Sequence, residues 1–363
     1  MNIALVIHGG IGVGYKQQGI PVIVNFAERI GEIHHLTVYT FTRPHPDFRA
    51  KNYKLVHCTK ITFIPLICLH HFRSRFAWVH GIWAYPGGFW AVLAARVLKV
   101  RAMVSFFGGE CVYLPKIKFG LAQSHKKRIS WVCRKAEKIT VLSEYQRRIV
   151  QKNFPEVKAE VISLGADTKL FFPQKQEKDE ILQLLNVAHM NKVKNHALLL
   201  NAFQQVLNTV DARLTILGVD TLKGEIQKLA RDLGIEDKIR FKGDVLHQEV
   251  KDFLGASHIL VHTSSYEAQA VVVNEAMACG VPVCGTSAGI IADLKNEYVI
   301  GIEEENAELL SKEIIDLWKN EAKYNYYAEA GLAYTKGNNF DHTIEQYEKL
   351  YDEINNKDHS LPI

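Results

Sequence analysis

The chain has 363 residues, 47% of them hydrophobic and 23% charged. That is the composition of a globular protein with a full core, and the length predicts about two or three domains. The six cysteines form no CxxC pair and no zinc-finger spacing, which excludes a zinc ribbon and points to reduced, mostly buried thiols. The net charge of +5 conceals an asymmetry. Residues 1–172 carry 25 Lys and Arg against 9 Asp and Glu (net +16), and the remainder carries 19 against 30 (net −11).

Such a split predicts two domains with different partners. The basic half would face anionic lipid headgroups or phosphorylated acceptors, or simply present a solvated basic surface. Nucleic acid is not expected, because no aromatic-basic module accompanies the charge. The opening MNIALVIHGG lacks a basic n-region and reaches glycine early, so no signal peptide is expected. No stretch of about 18 apolar residues is present, so no membrane span is expected either, and the location predicted is cytoplasmic.

Taken in chain order, residues 3–7 (IALVI) read as a buried parallel strand. A glycine-rich turn follows at 8–14 (HGGIGVG), then a helix to about Gly31 and a strand at 36–41. Further strands are predicted at 76–80, 102–107 and 138–143, with a core-facing helix at 89–99. At 172–180 (FPQKQEKDE) the pattern breaks into a polar linker containing Pro173. A second alternating series has strands at 182–188, 212–218, 238–243, 258–264 and 281–287, with helices at 196–208 and 274–280. A final helix at 341–354 places Ile344, Tyr347 and Leu350 on one face. The division expected is a first domain over 1–172, a linker over 173–180, a second domain over 181–337 and a terminal segment over 338–363. Strands alternating with helices predict an α/β chain of two doubly wound, Rossmann-like domains.

Two motifs carry chemistry. In the first domain Gly9, Gly10, Gly12 and Gly14 follow a strand, where glycine backbone amides and a helix N-terminus make an anion site. A tight turn without a ligand is the plain alternative. The spacing is GxGxG, and the second strand ends in Thr40, Phe41, Thr42 and Arg43 without the acid a dinucleotide site wants, which disfavours NAD and leaves NADP open through Arg43. In the second domain Glu267 follows a strand and a short turn, and Glu275 is expected to open the helix leading to Gly280. Both carboxylates would lie outside the carboxyl ends of the strands, where open α/β sheets bind ligands.

The segment YEAQAVVVNEAMACGVPV (266–283) resembles the Glu, seven residues, Glu motif followed by AMAxGxPV of glycosyltransferase family 4. The likeness runs along nearly the whole chain. NVAHMNKVKN (186–195), VISLGADTKLFFP (161–173) and 79–110 are similar to the family's diphosphate-lysine, pre-linker and acceptor-side segments. The resemblance implies a GT-B fold, with the two domains facing a central cleft and the last helix crossing back to the first domain. It implies a retaining transferase that uses a nucleotide-diphosphate sugar, UDP- or GDP-linked, in polysaccharide or glycolipid assembly, with a glycan or lipid-linked acceptor. Glu275 would bind the ribose hydroxyls and Glu267 those of the donor sugar. Gln269, Ala270, Val271 and Val272 would offer backbone amides, and Lys194 would neutralise the leaving diphosphate. Asp244 and Val245 fall where the family places the base.

Two departures stand out. His189 occupies the position of a family arginine, either as a weaker, pH-dependent phosphate contact or as a loop filler. Phe107 replaces a family histidine in the stretch Phe106 to Glu110, so no catalytic histidine is assigned there. The acceptor side is then expected at Gly108, Gly109, Glu110 and His80, with a buried structural role the other reading of His80. No Asp-x-Asp follows an apolar strand, since Glu177-Lys178-Asp179 lies in the linker, and no metal or cofactor is expected. The rival readings are a nucleotide-sugar 2-epimerase on the same fold and a non-catalytic sugar-nucleotide or polyanion binder.

Overall fold

The computed structural model describes residues 1–120, 123–174 and 180–353. The chain divides into two compact units. The first comprises Met1–Leu142, Gln146–Ser163 and Thr343–Ile363, and the second Ser143–Tyr145 and Leu164–His342.

Unit 1 is built on β1 (Asn2–Ile7), β2 (His35–Thr40), β3 (Tyr53–His57), β4 (Trp78–Ile82), β5 (Arg101–Phe106), a small antiparallel hairpin β6 (Tyr113–Leu114) and β7 (Phe119–Gly120), β8 (Lys138–Val141) and β9 (Ala159–Val161). Seven of these form a parallel sheet in the order β3-β2-β1-β4-β5-β8-β9. Both faces of β1 are covered, which is why its run IALVI is apolar without alternation. Helices α1 (Pro21–Ile33), α2 (Phe63–Arg73), α3 (Phe89–Leu98), α4 (Gln123–Lys135) and α5 (Glu144–Asn153) connect the strands. The stripe Ile23, Phe26, Ala27 and Ile30 of α1 is buried at helical spacing.

That first helix starts later than the sequence suggests. Lys16 and Gln17 have positive φ, which interrupts the helix after the glycine turn, and Pro21 supplies a pre-set first position. The strands β3 and β9 also escape the sequence reading, because neither shows an apolar run.

Unit 2 contains β10 (Leu182–Val187), β11 (Ala212–Leu217), β12 (Ile239–Gly243), β13 (Ile259–His262), β14 (Val283–Thr286) and β15 (Ile300–Ile302). They form a parallel sheet in the order β12-β11-β10-β13-β14-β15. Its helices are α6 (His196–Leu207), α7 (Glu225–Asp232), α8 (Val250–Gly255), α9 (Val271–Ala278), α10 (Ile290–Leu294), α11 (Ala307–Lys319) and α12 (Glu321–Gly337). The order reverses at β10/β13, as it does at β1/β4 in unit 1, and each reversal makes a switch point at the carboxyl ends of the strands.

The units meet the sequence at other points than expected. Leu164–Phe172 belongs to unit 2, because Gln269 and Asn274 hold the Leu164 backbone and Phe171 is fully buried in the second core. Within the expected linker, residues 175–179 lie outside the described residues. The last helix, α13 (Phe340–Asp352), passes into unit 1 at Thr343, and residues 354–363 lie outside the description.

Candidate functional site

The loops that leave β10 and β13 form the centre of unit 2. After β10 the chain makes a short 3-10 turn, Lys192–Lys194. The Asn191 side chain accepts the Val193 and Lys194 amides at 3.1 and 3.2 Å, and Asn195, at φ 48°, caps α6 through the Leu198 amide. After β13, Ser265 N donates to Val193 O at 2.8 Å and Thr263 Oγ1 donates to Lys194 O at 3.0 Å. The two loops are therefore tied backbone to backbone, and Lys194 is held on a turn fixed from both sides.

Lys194 Nζ makes an ion pair with Glu267 Oε1. The same oxygen receives Ser264 Oγ at 2.6 Å and has His262 Nε2 at 2.9 Å. Burial works against ionisation of Glu267, but the charge of Lys194 and the bond to His262 overcome it and hold the carboxyl well below the usual range. The side chains of Lys194 and Glu267 are 22% and 12% exposed, so the pair is sheltered but reachable. Gly289 makes this closeness possible. It sits at φ 59°, and a Cβ there would lie 2.4 Å from Gln269 O and 2.6 Å from Glu267 Cβ.

Glu275 is placed differently from the sequence reading. It does not open the helix. Ala270, at φ 76°, ends the loop, α9 begins at Val271, and Glu275 falls in the second turn. Its Oε1 lies 2.7 Å from His247 Nε2, in a 3-10 turn (His247–Glu249) beyond β12. Burial lowers the basicity of His247, and the hydrogen bond and charge of Glu275 more than offset it, so the imidazole titrates above its ordinary value. The Phe171 ring packs 5.2 Å from the His247 ring. Asp244 and Val245 are half-buried just past β12, in the same connection as His247.

Val271 and Val272 start α9 and Ala270 caps it. Gln269 is 1% exposed, and its side chain is spent on both backbone groups of Leu164, so only its main chain is available to a ligand. His189 is exposed, and its Nδ1 accepts the Val219 amide at 3.0 Å, which fixes the ring on the loop after β10.

In unit 1 the glycine turn occupies the end of β1, with Gly10, Gly12 and Gly14 at positive φ and Gly9 beside Thr42. A Cβ on Gly12 would meet the Phe48 ring at 2.8 Å. The two readings of His80 separate here. The ring is 0% exposed, its Nδ1 lies 2.6 Å from Tyr351 Oη and its Nε2 2.8 Å from Ser105 Oγ. Burial pushes its pKa down to about 3. His80 thus belongs to the core rather than to an acceptor pocket, because α13 covers the strand on which it stands. Glu110 does stand on the loop beyond β5. Burial raises its carboxyl to about 7, against the pull of the backbone amides of Glu110, Ala84, Gly108 and Phe107. Its Oε1 accepts Ala84 N at 3.3 Å, and its Oε2 lies where a Cβ on Gly108 would come within 3.0 Å. Gly109 packs under the Phe119 ring.

His262, Ser264 and His247 were not singled out by the sequence. His262 stands at the carboxyl end of a predicted strand, which was the available signal. His247 reaches Glu275 only through the tertiary path of β12.

Two parallel sheets, each reversing order beside ligand-ready loops, are the architecture of GT-B glycosyltransferases. A glycosyltransferase from Rickettsia africae ESF-5 superposes with a TM-score of 0.81 at 17% identity, covering 97% of this chain and 98% of that one. Anabaena HepE, solved with UDP and glucose, superposes with a TM-score of 0.75 at 15% identity, covering 98% and 100%. Residues 167–333 match the family described as glycosyl transferases group 1. The N-acetyl-alpha-D-glucosaminyl L-malate synthase of Bacillus anthracis is 28% identical over 47% of this chain and 45% of its own length. The gpi3 subunit of the phosphatidylinositol N-acetylglucosaminyltransferase of Schizosaccharomyces pombe is 24% identical over 73% and 58%. The chain spans about half the length of the curated relatives it matches.

Proposed function

We propose that the protein is a retaining glycosyltransferase that moves a sugar from a UDP- or GDP-sugar to a glycan or lipid-linked acceptor in glycoconjugate synthesis. The observation that carries this reading is the Lys194–Glu267 pair at the β10/β13 switch point. An ammonium has three donors. One is spent on Glu267, and two remain for the oxygens of a leaving diphosphate. Charge that grows on that diphosphate meets a cation already in place, so little reorganisation opposes bond breaking.

Lys194 and the amides at the start of α9 would supply the positive field without a metal. Glu267, ionised and anchored through Oε1, presents Oε2 to donor-sugar hydroxyls. Glu275, oriented by His247, would accept the ribose hydroxyls, with Asp244 and Val245 beside the base. Departure of the diphosphate and attack by the acceptor on the same face retain configuration without an enzyme nucleophile, and a donor phosphate oxygen takes the acceptor proton. On the acceptor side Glu110 is the titratable group we assign, near Gly108 and Gly109. The glycine turn Gly9–Gly14 is assigned to the diphosphate. The site would work on the cytoplasmic side, with the basic unit 1 in contact with an anionic membrane.

The test is donor binding and turnover. UDP-, GDP- and ADP-sugars would be screened by thermal shift, since a ligand of the native state raises the melting temperature. The best would then be offered to acceptors. Stabilisation by a sugar nucleotide together with an acceptor-dependent glycosyl product supports the reading. Interconversion of the free sugar nucleotide, or binding without turnover, rejects it.

A further inference from the structure

Helix α2 (Phe63–Arg73, FIPLICLHHFR) has an unusual outer face. Its inner face is ordinary: Phe63, Ile67 and His71 are buried, at i, i+4 and i+8. The outer stripe at Pro65, Leu69 and Phe72 repeats at i, i+4 and i+7, and all three are exposed and apolar. Ile61, one turn earlier, extends the stripe. Ile61 is 87% exposed, Phe72 81% and Leu69 47%. A surface helix of a globular protein carries polar residues on that side, and a helix apolar all round is normally covered. Among the described residues nothing covers this one. At 11 residues it is also too short to span a bilayer.

The surroundings say what kind of partner fits. From Phe48 to Gly109 the chain holds nine Lys and Arg and no Asp or Glu. Lys60 precedes the helix and Arg73 and Arg75 follow it. A cavity of about 860 Å³ opens at its C-terminal end, lined by His35, Lys54, Arg73, Ser74 and Arg75 among others and by no acidic side chain. Among the described residues no carboxylate forms an ion pair with Lys54, Arg73 or Arg75. Exposed apolar side chains ringed by unpaired cations match a bilayer surface bearing negative headgroups, where apolar burial and charge attraction add.

We propose that the outer face of α2 docks unit 1 on an anionic lipid bilayer. Ile61, Leu69 and Phe72 enter the headgroup boundary, while Lys54, Arg73 and Arg75 pair with lipid phosphates. This locates the membrane contact proposed above. It uses no residue of the sugar-nucleotide site, so vesicle binding and donor binding succeed or fail separately.

The experiment is vesicle flotation of the full chain with phosphatidylcholine alone and with phosphatidylcholine containing phosphatidylglycerol. Wild type is compared with Leu69→Ser/Phe72→Ser and with Arg73→Glu/Arg75→Glu, their folding checked by thermal melts. Wild type should bind only the anionic vesicles and should weaken as salt rises. The arginine reversal should weaken binding at least about tenfold, and the serine pair should lose it at any salt. Absent wild-type binding, equal binding to neutral vesicles, or variants that bind like wild type would overturn the proposal. So would a dimer dissolved by the serine pair without any vesicle binding, which would assign the stripe to a second copy of the chain.

Discussion

The ammonium of Lys194 and the carboxylate of Glu267 face each other from two different loops, 73 positions apart in the chain. Neighbouring hydrogen bonds, from the Ser265 amide to the Val193 carbonyl and from the Thr263 hydroxyl to the Lys194 carbonyl, hold those loops in register. The pair is thus preorganised: cation, carboxylate and supporting hydroxyl are set before any ligand arrives.

Replacing Lys194 by alanine should lower donor turnover by two or more orders of magnitude, the scale expected when one preorganised electrostatic contact is lost. Glu267 would keep its bonds to Ser264 and His262 but lose its counter-charge. We expect a stability loss of about 1–3 kcal/mol, less than for a fully buried pair because Lys194 is partly exposed. Steady-state kinetics and a urea melt measure both. Unchanged turnover would remove Lys194 from the mechanism.

The His247–Glu275 pair predicts a pH dependence of stability. The folded pKa of His247 lies above the ordinary 6.5. Its contribution is therefore complete below that value and is lost as pH rises through the folded pKa. The melting-temperature gap between wild type and His247→Gln should be widest below pH 6.5 and should narrow as pH rises through the raised folded pKa. A gap that widens with pH would contradict the pairing.

Glu110, held at about 7, should impose a pH limb on transfer. If the ionised carboxylate engages the acceptor, transfer should rise through about pH 7 at saturating donor. Glu110→Gln should flatten that limb and raise the acceptor KM while leaving donor affinity near wild type. A parallel loss of donor binding would show instead that Glu110 supports the fold of its loop.

Gly289→Ala should damage the site from outside it. The added methyl would press on the Gln269 carbonyl and on Glu267, from a backbone at φ 59°. A cost of about 1–3 kcal/mol in stability is expected, together with weaker donor binding by titration calorimetry. Wild-type values for both would mean that the loop yields more easily than its geometry indicates.

Much of the architecture could be read before folding. Runs such as IALVI and LQLLNVA are apolar without alternation, and parallel strands covered on both faces need that pattern. Strands β3 and β9 could not be read, because an edge strand exposed on one side carries mixed residues such as YKLVH. The strand pattern around Glu267 and Glu275 points to the carboxyl rim of the second sheet, and the family resemblance sets Lys194 beside it. The start of α9 was misplaced, since the positive φ of Ala270 is not a property that alanine advertises.

The amino-acid order alone determined that this protein has two doubly wound halves, and it determined which acids and which lysine to examine. Periodicity carries the first, and the resemblance to glycosyltransferase family 4 carries the second. Only the tertiary structure decided that Lys194 pairs with Glu267, that His247 serves Glu275, and that His80 lies sealed behind Tyr351. Each of those contacts joins residues distant in the chain, and its strength depends on burial and distance, which sequence spacing does not encode.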